Sequence, residues 1–291
     1  MTAPSRSPST AQNTDADGRE AIAERLLSGS VKRSYSPVVD LDWDAPLDPD
    51  KYFLPPRVCS LYGTDLWNNL TEEQRIEMSR QELANILSVG IWFENLLNRA
   101  LLQRLLKQDP ASSVTHYALT EMGDECRHMV MFGRAIERSG ARAYGNAGWQ
   151  RLIMLLLPFG LRGSRLWVAA LVGEEIFDAL QREMLDDPQL QPLISRLMRI
   201  HVTEESRHIG FARDGIARRR TTRGRWETFL AANMHGVAGC GSSTSSPIRR
   251  CMRGPGWTST RPRRRHAAIP TSIGCRCWDL RVWRSSSRRT G

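Results

Sequence analysis

The chain has 291 residues, enough to bury a sizeable core, and its 41% hydrophobic and 25% charged residues are typical of a soluble globular protein. Its net charge of +10 arises from one part of the chain. Residues 235–291 hold twelve Arg, no Lys, no Glu and one Asp, whereas residues 1–234 hold 29 basic and 30 acidic residues. This distribution argues against nucleic acid as a partner of the body of the protein.

Cysteine usage and hydropathy bear on the compartment. Cys59 and Cys126 are too far apart in the body to suggest a disulfide framework, which favours a reducing, cytoplasmic setting. The first 30 residues contain no apolar signal-peptide core. The most apolar stretch, residues 152–173, is interrupted by Pro158, Gly160 and Arg162, so we expect no membrane-spanning segment and no membrane partner.

The N-terminal part of the chain shows no helical periodicity that we would rely on. Residues 1–33 are polar and rich in Ser, Thr, Ala and Asp, which predicts a disordered N-terminal arm. Residues 34–70 begin with a run of prolines and interleaved aromatics. That composition predicts an extended segment packed on the surface of the following domain.

Two long helices follow. "TEEQ" from Thr71 to Gln74 is a capping-box pattern, and leucine recurs at helical spacing after it, which predicts a helix over residues 71–107. A second helix is predicted over residues 111–139, ending at Gly140.

The second helix pair is predicted from the same signals. A third helix starts near Ser164 and ends at "DDP", and a fourth covers residues 189–220. A short apolar helix fits between the second and third. Strand patterns are almost absent, so the sequence predicts an all-α helix bundle over residues 71–234.

Residues 235–291 have a different texture. They are rich in Arg, Ser and Gly and show neither helical nor strand periodicity. We expect a disordered or out-of-frame tail, with a frame shift in the gene as the leading interpretation and an Arg-rich binding arm as the alternative.

Two short motifs carry the chemistry. "ECRH" places Glu125 and His128 on one helix face, and "EESRH" does the same for Glu205 and His208. His201 lies four residues before Glu205, on the same stripe of the fourth helix. One such pair is a weak signal, but its repetition suggests two halves of one site.

A two-metal bundle site also needs a carboxylate from each of the other two helices. Glu94 lies 31 residues before Glu125, and Glu174 lies 31 residues before Glu205, so the whole pattern repeats at an offset of 80. Glu82 and Glu175 are the nearest competitors, but neither keeps the register.

Four carboxylates would balance two divalent cations. Oxygen and imidazole donors without thiolate favour iron, with manganese possible, over copper(I) or structural zinc. Cys126 follows a candidate ligand, but its position points it off the metal face, and we interpret it as a packing residue.

These residues resemble the p-aminobenzoate N-oxygenase family of non-haem diiron oxygenases, which have a ferritin-like bundle. The resemblance covers roughly residues 35–235, and the extra histidine, His201, separates it from plainer ferritin-like proteins. It implies one iron bound by Glu94, Glu125, His128 and Glu205. It implies a second iron bound by Glu174, His201 and His208, with Glu125 and Glu205 bridging the two ions and forming the catalytic pair.

The resemblance also implies an activity: O₂ activation and oxygen transfer to a small organic substrate, such as oxidation of an aryl amine to a nitro compound. The cofactors would be two Fe ions, with O₂ as co-substrate and an external electron donor, which is a protein or small reductant. A homodimer is expected. Two alternatives stay open: a ferritin-like metal protein of another purpose (ferroxidase, manganese catalase-like or radical-generating subunit), and an inactive truncated product.

Overall fold

Helices build nearly all of the regular structure. The computed structural model describes residues 10–145 and 148–219. Within these ranges there are seven α-helices and no strand beyond one isolated bridge between Tyr52 and Leu190. The helices are α1 (Thr10–Lys32), α2 (Asp65–Asn68), α3 (Glu72–Leu105), α4 (Ser113–Ser139), α5 (Gly148–Gly160), α6 (Ser164–Arg182) and α7 (Pro192–Arg219).

Four long helices form the bundle. α3 packs against α4, and α6 packs against α7, each pair joined by a short connection. α4 contacts α7 and α3 contacts α6, which closes the two pairs into a four-helix arrangement. The all-α, ferritin-like bundle predicted from the sequence is therefore confirmed.

Local signals set the helix ends. The Thr71 side chain accepts a hydrogen bond from the Gln74 amide, and the Gln74 side chain accepts one from the Thr71 amide, which is the predicted capping box. α4 ends at Gly140, whose φ of 72° lies in the left-handed region that glycine enters without steric cost. Sequence and structure therefore agree at the start of α3 and at the end of α4.

The N-terminal part differs from the prediction. Within residues 1–33, predicted as a disordered arm, residues 10–32 form α1, which packs on α4 and α7. Ala23 is fully buried there, with Leu26 and Leu27 packed against the same apolar cluster. Glu20 accepts a hydrogen bond from the Ser113 amide at the start of α4. These contacts come from distant helices, so a polar sequence window does not reveal them.

Residues 34–70 lie across the bundle with little regular structure. Tyr52 forms two backbone hydrogen bonds with the segment before α7. Its amide donates to the Gln189 carbonyl at 2.9 Å, and its carbonyl accepts from the Gln191 amide at 2.8 Å. Arg138 on α4 donates to the carbonyl oxygens of Trp43 and Ala45. These bonds attach the segment to both helix pairs.

The end of the chain cannot be compared with its prediction. The tail predicted over residues 235–291, and the end of the bundle predicted up to residue 234, lie outside the described residues. Among the described residues, no helix combines the length and the apolar composition that crossing a bilayer requires.

Two apolar clusters stabilise the bundle. One contains Leu83, Leu87 and Phe132 together with the segment before α3; the other contains Tyr117 and Trp167 together with α1. Fully burying each large side chain contributes roughly 1.5–3 kcal/mol. α3, α4 and α7 supply residues to both clusters. The same three helices also carry buried polar side chains.

A glycine allows α3 and α6 to approach each other. A Cβ atom on Gly173 would lie 2.0 to 2.7 Å from ring atoms of Phe93, too close for any real contact. The Phe93 ring also stacks on Phe177, with centroids 6.3 Å apart. Since Phe93 precedes Glu94 and Gly173 precedes Glu174, this contact sets the spacing of two candidate ligands.

We expect Gly173→Ala to lower the free energy of unfolding by about 1–3 kcal/mol, because the new methyl group overpacks the Phe93 contact. Gly133→Ala on α4 is the matched control. Its Cβ would meet no atom within 4 Å, so it should gain roughly 0.5–1 kcal/mol from helix propensity. Chemical denaturation measures both, and equal stability of the two variants would show that Phe93 moves aside freely.

Candidate metal centre

The seven candidate ligands come together in the middle of the bundle, and none exposes more than 2% of its surface. Every bundle helix contributes at least one of them. They are Glu94 on α3, Glu125 and His128 on α4, Glu174 on α6, and His201, Glu205 and His208 on α7.

Glu125 and Glu205 each lie between two histidines. His128 Nδ1 is 2.9 Å from Glu125 Oε2 and 3.2 Å from Glu205 Oε1. His208 Nδ1 is 2.9 Å from Glu125 Oε1 and 3.3 Å from Glu205 Oε2. Each carboxylate thus faces the histidine of its own helix and the histidine of the other. This is the arrangement expected of carboxylates that bridge two ions.

The donor atoms form three overlapping groups, within each of which all atoms lie within 4.8 Å of one another. The groups are Glu94, His128, His201 and Glu205; Glu125, Glu205 and His208; and Glu94, Glu125 and Glu174. Together they contain all seven candidates.

The position of His201 differs from the assignment that the resemblance implies. His201 Nε2 lies 3.5 Å from Glu94 Oε1 and 3.4 Å from Glu205 Oε1, so it groups with Glu94 and His128 instead of with Glu174. Gln181 on α6 lies on the other side of the ring, 2.7 Å from Nδ1. That contact fixes the ring orientation and directs Nε2 toward Glu94.

The two competing glutamates are engaged elsewhere. Glu82 is buried, but it accepts hydrogen bonds from the amide and hydroxyl of Ser60. Glu175 pairs with Arg213 at 2.8 Å near the surface. Neither belongs to a group of candidate metal donors among the described residues, so the structure favours Glu94 and Glu174.

Two of the carboxyls favour the protonated form. Burial, reinforced by Glu125 and Glu205, raises the pKa of Glu94 well above its ordinary value. Burial and Glu205 have the same effect on the pKa of Glu174. Both shifts favour the neutral, protonated form of the carboxyl.

The two central glutamates, Glu125 and Glu205, and the histidines that face them, His128 and His208, favour their charged forms. Burial alone would raise the pKa of Glu125 and Glu205, but the facing histidines outweigh it and lower both. Burial alone would lower the pKa of His128 and His208, but the carboxylates raise both well above the ordinary value. Burial and then His128 lower the pKa of His201 to about 3. These directions favour two protonated imidazoles facing two ionised carboxylates.

Several buried atoms of the candidate ligands make no hydrogen bond. Among the described residues these include Glu94 Oε2, Glu174 Oε1 and His201 Nε2. Native proteins leave few buried polar atoms without a hydrogen bond, and a cluster of them indicates a missing partner. Oxygen and imidazole donors that converge on one buried point fit two hard or borderline divalent cations.

The outer ring nitrogens of His128 and His208 each contact an acidic residue that the sequence analysis missed. Glu204 Oε2 lies 2.9 Å from His128 Nε2, and Asp124 Oδ2 lies 3.3 Å from His208 Nε2. These contacts cross the bundle, since the acidic residue of one motif supports the histidine of the other. A hydrogen bond on the outer ring nitrogen fixes the orientation and basicity of a metal-binding histidine.

The same repeat offered a signal for these partners. The motifs read "DECRH" and "EESRH", with an acidic residue before the ligand glutamate and an arginine two residues after it. Arg127 and Arg207 both pair with Asp124, and Arg207 Nη2 also lies 3.7 Å from Glu204 Oε1. The extended motif thus encodes the metal donors together with their supports.

Two neighbouring side chains stand apart from the donor set. Cys126 is exposed and its sulfur accepts a contact from Asn98, so it points away from the centre as predicted. Glu121 is buried one turn before Glu125, and burial raises its pKa to about 8.

Comparison with known proteins agrees with this geometry. The family model described as p-aminobenzoate N-oxygenase AurF matches residues 16–249. An uncharacterized protein of Mycobacterium tuberculosis strain CDC 1551 is 32% identical over 225 residues, which is 75% of this chain and 66% of that protein. An uncharacterized protein of Mycobacterium bovis is 32% identical over 212 residues, which is 70% of this chain and 62% of that protein. The alignments thus span just under two thirds of these relatives. The match to the family model covers most of the chain, which therefore belongs to the p-aminobenzoate N-oxygenase AurF family.

Proposed function

We propose that this chain is a non-haem diiron oxygenase that activates O₂ and transfers oxygen to a small organic substrate, with an aryl amine as the substrate class and a nitro compound as the product. The observation that carries the proposal is the buried set of four carboxylates and three imidazoles, with Glu125 and Glu205 each facing two histidines. Two iron ions would supply the electron transfer to O₂, which amino acid side chains cannot carry out.

The residues would divide the work as follows. Glu125 and Glu205 would be shared by the two ions and form the catalytic pair. Glu94 and His128 would complete the donor set of one ion, and Glu174 and His208 that of the other. The proximity of His201 to Glu94 and His128 supports its inclusion in the first set. Manganese fits the same donors, so the choice of iron rests on the proposed reaction.

The surrounding protein would keep the centre dry and fixed. The seven donors are closed off from solvent, and the apolar clusters on either side exclude bulk water. Water exclusion strengthens the electrostatic interactions inside the site. The outer partners Glu204, Asp124 and Gln181 hold the three imidazole rings in the orientation that binding requires.

We also propose a cytoplasmic homodimer that receives electrons from an external donor. Cys126 is exposed and forms no disulfide among the described residues, which suits a reducing compartment. Large apolar side chains on the outer face of α5 are more than half exposed, namely Trp149, Leu152, Leu155, Leu156 and Phe159. Monomeric proteins seldom expose a contiguous patch of this kind, which supports contact with a second copy.

One observation favours the radical-generating alternative. Tyr117 is fully buried on α4, two turns before Glu125, and its hydroxyl makes no hydrogen bond among the described residues. Burial raises its pKa, so the phenol stays protonated. A ferritin-like protein with a redox-active tyrosine would use such a residue, and a stable tyrosyl radical in the EPR spectrum would support that function instead.

We expect the wild-type protein, reconstituted anaerobically with Fe(II), to bind about two iron ions per chain. Glu125→Ala and His208→Ala should both lose most of this iron, since each removes a donor from the centre. His116→Ala is the control. His116 lies on the same helix as Glu125, but its side chain is exposed and hydrogen-bonds to the Pro110 carbonyl. Elemental analysis after desalting measures the content. A wild-type protein without iron would contradict the proposal.

Iron binding should release protons. The pKa values of Glu94, Glu174, His128 and His208 are raised, which favours their protonated forms before metal binds. Donors bind metal in the deprotonated form, so metal binding should release protons, and the affinity should increase with pH. Titration calorimetry in two buffers of different ionisation enthalpy counts the protons. Binding without proton release would show that the centre is already deprotonated.

The activity has its own test. Reduced diiron protein, exposed to O₂ with a panel of aryl amines, should convert at least one of them to the nitro compound. Glu205→Ala should abolish product formation, whereas His116→Ala should not. Mass spectrometry with ¹⁸O₂ identifies the source of the oxygen. Iron oxidation without any organic product would favour a ferroxidase.

A further inference from the structure

The segment after α1 touches the support of a candidate metal ligand. The backbone amide of Tyr35 donates a hydrogen bond of 3.3 Å to Glu204 Oε1. The other oxygen of Glu204 faces His128 Nε2 at 2.9 Å. Glu204 is fully buried, so these neighbours take the place of water. A continuous contact therefore runs from the N-terminal segment to the imidazole of His128.

The two halves of the site differ at this point. Asp124, which supports His208, is paired with both Arg127 and Arg207. Glu204 occupies the equivalent position 80 residues later, and among the described residues the arginine that pairs with it is Arg207, at 3.7 Å. The amide of Tyr35 supplies Glu204 with a further donor, in a role that a second arginine fills at Asp124. A buried carboxylate needs such donors, because its desolvation is costly when they are absent.

The rest of the segment is packed in the same place. An added Cβ at Gly29, near the end of α1, would lie 3.5 Å from the side chain of Arg207. Ser30 is buried. The guanidinium carbon of Arg196 on α7 lies over the Tyr35 ring, 5.6 Å from the ring centroid. Residues 33–35, which follow α1 directly and which we name the strap, therefore lie with the last turn of α1 over the acidic and basic residues behind the centre.

We propose that the strap positions His128 for metal binding through the hydrogen bond from the Tyr35 amide to Glu204. Tyr35 is a positioning residue, since its backbone acts on the ligand only through Glu204. Because α1 continues directly into the strap, displacement of α1 would weaken the support of His128 and leave His208, supported by Asp124, unchanged. The inference rests on the proposed metal centre.

The test removes the amide hydrogen and keeps the rest of the chain. Tyr35→Pro lacks the N–H group, whereas Tyr35→Ala keeps it and loses only the ring. We expect Tyr35→Pro to lower the affinity for Fe(II), measured by chelator competition, by several-fold up to about tenfold, the lower end of the range for outer-sphere partners. Tyr35→Ala should stay within about twofold of wild type.

A double-mutant cycle separates positioning from general destabilisation. Glu204→Ala alone should lower the affinity about 10–100-fold, and adding Tyr35→Pro to it should cause no further loss. Tyr35→Pro combined with Asp124→Ala should instead show both losses. An effect of Tyr35→Pro that persists in the Glu204→Ala background would overturn the proposal.

A second measurement uses the metal-free protein, so it holds even if Tyr35→Pro fails to fold or if the protein binds no iron. Hydrogen exchange of the Tyr35 amide should be slow in wild type and at least about tenfold faster in Glu204→Ala. In Asp124→Ala it should match wild type. Equal exchange in all three would show that the Tyr35 amide does not depend on Glu204. Absence of iron binding in wild type would refute the metal centre, whereas the exchange rates test the contact itself.

Discussion

The structure depends on the mutual neutralisation of seven ionisable side chains buried at one point. An isolated buried charge costs several kcal/mol even after the protein relaxes, so four carboxylates and three imidazoles cannot all be charged there independently. The pKa shifts favour ionised Glu125 and Glu205 facing protonated His128 and His208. They favour the neutral forms of Glu94, Glu174 and His201. Two divalent cations would balance the charge of all four carboxylates.

This balance also joins two of the bundle helices. His128 on α4 pairs with Glu205 on α7 at 3.2 Å, and His208 on α7 pairs with Glu125 on α4 at 2.9 Å. Removing one partner would leave the opposite charge uncompensated, which costs more than the pair itself contributes. The centre is thus part of the core as well as a candidate binding site, and its ligands cannot be changed without an effect on stability.

The sequence predicted the four bundle helices and all seven clustered residues because those depend on local rules. Helical spacing places Glu125 beside His128, and the repeated interval of 31 residues selects Glu94 and Glu174 over competitors that the structure shows paired with Ser60 or Arg213. The partners behind the histidines depend instead on contacts between helices. Glu204 supports His128 across the bundle, 76 residues away, and no pattern within one helix reveals such a pairing.

Helix α1 also depends on contacts between helices, which a local sequence pattern does not reveal. Its sequence lacks the apolar stripe of a stable isolated helix; among its described side chains, Ala23, Leu26 and Leu27 pack in the apolar core. Short helices of modest propensity are stable in water only when tertiary contacts add to them, so α1 depends on α4 and α7. The dependence also runs the other way, since Glu20 caps α4 and the strap after α1 reaches Glu204. The hydrogen bond from Tyr35 to Glu204 joins parts of the chain that are 169 residues apart. The proposed support of His128 therefore depends on the docking of the N-terminal segment, for which the local sequence carries no signal.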